Sequence, residues 1–264
     1  MHQDLSPAEL EDAYENGAYI PNGQALRESW PGRAQAFRDR VSGELNQSYG
    51  SVYGARFDYF TPRSNPKGTL LFLHGGYWRF FGPSDWSWVA EGAIAHGWNV
   101  ALIGYPLAPS VPLSGITGYV RQGIETVAKK VTGPLILAGH SAGGHLVARM
   151  AMADGPAHLW SRIKEIVPIS PVADLRPLLR HPMNVDLQLT AETAEAESPV
   201  CHNKAYSGPL HTWVGAQERP AFLDQARALH KAWGGGISEP AGRHHFDILD
   251  ELADPNGTLA LSLF

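Results

Sequence analysis

One cysteine, Cys201, stands alone among 264 residues. Neither an internal disulfide nor a thiolate metal cluster can be built around it by this chain alone. Charge is sparse: Asp, Glu, Lys and Arg make up 18% of the chain, against about 25% in ordinary soluble domains. No long basic run occurs, and 21 basic against 26 acidic side chains leave a net charge of −5. That balance excludes the dense positive surface a nucleic acid or an anionic membrane requires. The longest apolar runs, such as 69–73 and 258–264, fall far short of the roughly 20 residues that span a bilayer. The opening Met1-His2-Gln3-Asp4-Leu5-Ser6-Pro7 lacks the basic and apolar stretches of a secretory leader. These absences lead to the expectation of a soluble, cytoplasmic protein.

What the chain does have is enough apolar material, 44%, and enough length to bury roughly three quarters of its unfolded surface in one core. A single domain over 1–264 is expected, with a polar, loop-rich N-terminal extension over 1–50. In that extension Ser29-Trp30-Pro31 reads as a helix start, followed by Ala34, Phe37, Val41 and Leu45 at helical spacing. Strands then alternate with amphipathic helices. Arg56–Phe60, Thr69–Leu73, Asn99–Ile103, Pro134–Ala138, Glu165–Ile169 and Leu210–Val214 read as strands, with a last one near Ile237. Helices are expected over Trp86–His96, Ile116–Val131 and Ala142–Ala153, and from Pro220 to the Gly234–Gly236 stop. Residues 171–208, rich in proline and acid, break the rhythm as a cap-like insertion. This alternation implies an α/β fold with a mostly parallel sheet between helices. Ligands collect beyond the carboxyl ends of such strands.

Three stretches at those ends carry chemistry. Gly139-His140-Ser141-Ala142-Gly143 follows a buried strand and opens a helix, the setting of a nucleophile elbow. Without that setting Ser141 is simply a helix cap. His74-Gly75-Gly76-Tyr77-Trp78 ends an earlier strand, and its two glycines leave backbone N–H groups unshielded. Together with the N–H of Ala142, the turn at Gly75, Gly76 and Tyr77 is an oxyanion-hole candidate; otherwise it is a plain strand-ending turn. A serine nucleophile needs a histidine base, and His244 and His245 both follow the last strand. His140 and His145 flank Ser141 within its own turn and helix, and read as structural. Glu218 is the one carboxylate between the Leu210–Val214 strand and the Pro220 helix. It is the expected acid, while its position also suits an acidic residue in the first turn of a helix. His244, His245 and Asp247 match no zinc-site spacing, so no metal and no cofactor are expected.

These stretches resemble the kynurenine formamidase (arylformamidase) branch of the α/β-hydrolases. The H-G-G-x-W signature is met by residues 74–78, and similarity continues through Arg79, Ser84-Asp85-Trp86-Ser87-Trp88, Tyr14-Glu15-Asn16 and Leu107-Ala108-Pro109. Asp174-Leu175-Arg176-Pro177-Leu178, Asn184 and Ser198-Pro199 are similar to the family's cap region, and His245-Phe246 to its histidine site. The family pattern usually has aspartate where this chain has Glu218. The resemblance implies an α/β-hydrolase with a Ser141-His245-Glu218 triad that cleaves the formamide of N-formyl-L-kynurenine to kynurenine and formate. Carboxylesterase action on small esters and a non-catalytic binding module are the alternatives. The dense aromatics Tyr77, Trp78, Phe80, Phe81, Trp86 and Trp88 beside the oxyanion turn are candidates to stack on the aryl ring or are ordinary core packing. Tyr77, Trp78 and Arg79 are the expected substrate contacts, with Arg79 or Arg176 meeting the amino-acid carboxylate. The expected partner is a small-molecule substrate, without nucleic acid or membrane, and a homodimer is compatible with the sequence.

Overall fold

Runs such as Thr69-Leu-Leu-Phe-Leu73 and Leu135-Ile-Leu-Ala138 have no polar alternation, so they cannot sit at a surface and must be covered on both sides. In the structure, a computed structural model describing residues 5–264, they form the middle of an eight-stranded sheet. Met1–Asp4, part of the stretch read for a leader, lie outside the described residues. The strands are β1 (Gly43–Ser48), β2 (Arg56–Phe60), β3 (Thr69–Leu73), β4 (Asn99–Ile103), β5 (Leu135–His140), β6 (Ile163–Ile169), β7 (His211–Trp213) and β8 (Gly236–Ser238). Their order is β1-β2-β4-β3-β5-β6-β7-β8. The β1–β2 and β2–β4 pairs are antiparallel and every other pair is parallel. The fold is α/β, as expected.

Alternating side chains divide the core between the two faces of the sheet. Leu71, Leu73, Ile103 and Leu137 share one apolar cluster, while Leu70, Phe72, Leu102 and Ile136 share the other. The first cluster takes in residues of helices α1 (Pro7–Tyr14), α4 (Leu113–Lys130), α5 (Ala142–Arg149) and α8 (Pro220–Trp233). The second takes in α2 (Gly23–Arg38), short α3 (Glu91–Ala95), and the terminal α9 (Asp250–Ala253) and α10 (Thr258–Leu263). The insertion carries two short helices, α6 (Asn184–Leu187) and α7 (Ala191–Ala196). A buried ion pair fixes it to the helix after Ser141: Arg149 Nε donates to Glu197 at 2.8 Å. The same guanidinium also binds Asp154, and Thr117 donates to Glu197 at 2.6 Å.

Four local expectations need correction. Helix α2 begins at Gly23, not at Ser29, and carries Pro31 in its interior. The proline forfeits one backbone hydrogen bond, but Trp30, Ala34 and Phe37 are buried on either side of it and hold the helix in place. Leu45, read as the helix's last apolar contact, lies in β1 and is exposed. Residues of that edge strand are almost all solvent-facing and so carry no apolar alternation; the buried Asp58 of β2 secures it by accepting from the Asn46 N–H at 2.7 Å. Pro83–Ala90 is a 3₁₀ turn preceding α3, where one continuous helix over Trp86–His96 was expected. Pro83 opens that turn, and Trp86 and Trp88 are both buried from it.

Candidate active site

The site grows from the turn between β5 and α5. Close packing dictates its glycines: a Cβ on Gly143 would lie 2.0 Å from the Leu73 carbonyl oxygen. Ser141 takes φ +56° and ψ −115°, a conformation costly for any L residue and one that surrounding structure must impose. Its N–H donates to the Ile169 carbonyl at 2.8 Å, and the His145 N–H returns to its own carbonyl at 3.0 Å. Ser141 Oγ makes no hydrogen bond among the described residues. Ala142 is the first residue of α5, so its N–H is one of the amides a helix start leaves without an intrahelical acceptor.

The turn after β3 lies alongside. Gly76 takes φ +113°, and Tyr77 and Trp78 follow at +53° and +57°. Two consecutive non-glycine residues in the left-handed region need tethers. The Tyr77 hydroxyl donates to the Tyr14 carbonyl at 2.8 Å, and the Trp78 carbonyl accepts from the Ala108 N–H at 2.9 Å. Burial pushes the Tyr77 hydroxyl up to about 12, so it stays protonated and keeps donating. The Gly76 and Tyr77 N–H groups have no acceptor among the described residues, and both residues line the same cavity as Ser141.

From beyond β8, His245 reaches this cavity with 4% of its surface exposed. Its Nδ1 lies 2.6 Å from Glu218 Oε2. The other carboxylate oxygen of Glu218 accepts from the Ser170 hydroxyl at 2.5 Å and from the Gly215 N–H at 2.8 Å. Both donors come from strand ends, Ser170 after β6 and Gly215 after β7, so the sheet itself aims the carboxylate. With both Oε1 bonds made, Oε2 is left to face the imidazole, and Nδ1 carries the proton between them. His244 turns away: its Nδ1 accepts from the Phe246 and Asp247 N–H groups. Among the described residues no group of three His, Cys, Asp or Glu side chains could hold a metal ion.

Ser141, His245, Gly76 and Tyr77 thus face one cavity of about 380 Å³. Its apolar walls are Trp30, Phe80, Phe81, Trp86 and Phe246. Three expected contacts do not reach it. Trp78 is 1% exposed and packs edge-on against His145, so it belongs to the core. Arg79 Nε is paired with Asp186 on α6 at 2.9 Å, and Arg176 is paired with Asp174 at the same distance. Each cation found a carboxylate on or beside the insertion, a pairing that spacing along the chain does not reveal. The cavity instead recruits Glu15, Asn16, Arg27 and Trp30 from the N-terminal segment. In the sequence Trp30 stands only in a helix start, and Ser170 has no signal beyond its place after a strand.

His140 supports the base from behind. Its Nε2 donates to the His245 carbonyl at 2.8 Å, and the rings lie 4.6 Å apart. Burial, with the neighbouring His245, holds His140 well below its ordinary value. Burial brings His74 and His145 down to about 4. All three stay neutral in the folded protein but protonate in the unfolded chain below about pH 6.5. Unfolding therefore takes up protons on acidification. Their contribution is complete above pH 6.5 and is lost as the pH falls towards 4, by about 1.4 kcal/mol per pH unit per group at the steepest. Denaturant titrations at pH 7 and pH 5 should show a stability loss on the order of 2 kcal/mol or more, and replacing His145 by an uncharged side chain should reduce the difference.

Residues 70–235 match the sequence profile of a family described as alpha/beta hydrolase fold. A kynurenine formamidase of Danio rerio is 28% identical over 227 residues, covering 80% of this chain and 78% of the relative. One of Drosophila melanogaster is 25% identical, covering 74% and 71%. Among solved structures, a Silicibacter protein described as a candidate thioesterase superposes with a TM-score of 0.93 at 45% identity, covering 96% of this chain and 98% of that one. Esterase B of Lactobacillus rhamnosis, in complex with a tributyrin phosphonate inhibitor, shares the fold with a TM-score of 0.67 at 16% identity. No helix of the described residues is long and apolar enough to cross a membrane.

Proposed function

The chain belongs to the α/β-hydrolase fold family and is an enzyme of that type, and we propose that it hydrolyses the aryl formamide of N-formyl-L-kynurenine through Ser141, His245 and Glu218. The observation that carries the triad is the buried 2.6 Å contact between His245 and Glu218 on the cavity that also holds Ser141. Free enzymes often keep the serine–histidine bond loose until substrate arrives. Ser141 Oγ attacks the formyl carbon as its proton passes to His245 Nε2. The carbonyl oxygen becomes an oxyanion, for which the amides of Ala142, Gly76 and Tyr77 are the available donors. The C–N bond then breaks as His245 returns the proton to the departing aryl nitrogen, releasing kynurenine. Water attacks the formyl-serine, giving its proton to His245, and formate leaves as Ser141 is regenerated. An aryl amine is weakly basic, so this amide is easier to cleave than a peptide. The aromatic walls offer the departing ring edge-to-face and stacked partners.

Ester hydrolysis uses the same machinery, and the description of the 45% identical Silicibacter protein favours thioesters as the second reading. The test is a comparison of kcat/KM for N-formyl-L-kynurenine, p-nitrophenyl acetate and an acetyl thioester. Formylkynurenine should lead by at least about tenfold, the discrimination an apolar pocket gives through a few extra contacts. A lead for either ester would replace this reading with an esterase.

A further inference from the structure

The N-terminal segment brings three polar residues to the cavity that the triad does not use: Glu15, Asn16 and Arg27. Asn16 is 3% exposed, yet its Oδ1 is buried without a partner. Its orientation follows from its neighbour. The Tyr77 hydroxyl spends its proton on the Tyr14 carbonyl, so its oxygen can only accept, and Asn16 must present its NH₂ group to it, at 3.4 Å. The amide oxygen of Asn16 therefore faces elsewhere and lacks a donor. That oxygen has no surface open to the cavity, so Asn16 serves the site through the Tyr77 hydroxyl it holds, and a ligand meets Glu15 and Arg27 instead.

Two opposite charges stand beside it. Arg27 makes no ion pair among the described residues. Its Cζ lies 3.3 Å, and Glu15 Oε1 lies 3.1 Å, from the point where a Cβ on Gly17 would stand. Glycine at 17 leaves room for both heads to crowd the same corner. A free guanidinium and a carboxylate side by side on the cavity complement one ligand class: a zwitterion with a carboxylate and an ammonium on one carbon. We infer that Glu15 and Arg27 form the subsite for the α-amino-acid group of the substrate. Arg27 takes the carboxylate and the Glu15 carboxylate accepts from the ammonium. This assignment deepens the formylkynurenine reading and rests on it for the identity of the aryl portion.

Calorimetric titration separates the two. L-kynurenine and 2-aminoacetophenone share the aryl ketone, but only the first carries the amino-acid group. The protein should bind L-kynurenine at least about tenfold more tightly, the effect of one charge-assisted contact at a partly exposed rim. Arg27→Met should remove most of that preference, Arg27→Lys should keep part of it, and Glu15→Gln should weaken it. Arg27 is exposed, so its replacement leaves the core untouched. Equal affinity for the two ligands, or an undiminished preference in Arg27→Met, would overturn the subsite even if formylkynurenine is turned over. An Arg27-dependent preference in a protein that does not hydrolyse formylkynurenine would uphold the subsite and reject the reaction.

Discussion

Replacing Ser141 by alanine is expected to lower kcat on formylkynurenine by about 10⁴-fold or more, with the melting temperature unchanged. The two halves of that expectation have separate physical grounds. Activity falls because no other serine, threonine or cysteine lines the cavity, the Tyr77 hydroxyl is committed to the Tyr14 carbonyl, and the amides can stabilise an oxyanion only if something attacks the carbonyl. Stability holds because Ser141 Oγ makes no hydrogen bond that alanine would lose, and alanine keeps the Cβ that φ +56° strains. Ser141→Gly provides the contrast. It should be equally inactive but more stable by about 1 kcal/mol, since glycine accepts that conformation at little cost. Turnover near that of the unmodified protein in Ser141→Ala would remove the nucleophile assignment, and thermal scans on both variants would show whether the elbow is strained.

The residues that place the elbow were open to reading because strand, turn and helix are all local there. Leu135–Ala138 must be buried on both faces, and Gly139 and Gly143 mark close backbone approach. The 2.0 Å that would separate a Gly143 Cβ from the Leu73 oxygen belongs to packing of α5 against the end of β3, far away in sequence. The antiparallel edge shows the limit of that legibility. β1 is almost entirely exposed, so it has no apolar pattern, and it is held by Asp58 from the neighbouring strand. Cation partners were equally hidden. Arg79 and Arg176 lie close in sequence to site motifs, yet each is paired with a carboxylate away from the cavity. Arg27 and Trp30 lie over 100 residues before Ser141 and still line its cavity, because α2 packs across the sheet through Trp30 and Phe37. Spacing reports neighbours along a strand or helix; it does not report which helix end overhangs a distant strand.

Glu218 is held on one side by the strand ends and on the other by His245, and two substitutions there should separate catalysis from stability. In Glu218→Gln the amide oxygen can keep both bonds that now reach Oε1, from Ser170 at 2.5 Å and Gly215 at 2.8 Å. The NH₂ group then faces His245 Nδ1, which must become an acceptor. The ring proton moves to Nε2, and the base can no longer take the proton of Ser141. A kcat loss on the order of 10³–10⁴-fold with little change in stability is expected. Glu218→Asp reverses the pattern. The shorter carboxylate cannot span from His245 to Gly215 and Ser170 together, so one set of bonds is abandoned. If it keeps His245, activity survives in part, while the Gly215 N–H and the Ser170 hydroxyl are left buried without an acceptor, costing about 1–3 kcal/mol. Glu218 precedes the Arg219 N-cap of α8 and so lies outside the helix's first turn, the place its sequence position suits. A residue serving only that helix end predicts neither result: Glu218→Gln would then turn over normally and lose about 0.3–1 kcal/mol of stability. Measuring kcat and unfolding free energy on both variants decides between the roles. Near-normal turnover by Glu218→Gln would make the 2.6 Å contact with His245 a packing feature and leave the base without its acid.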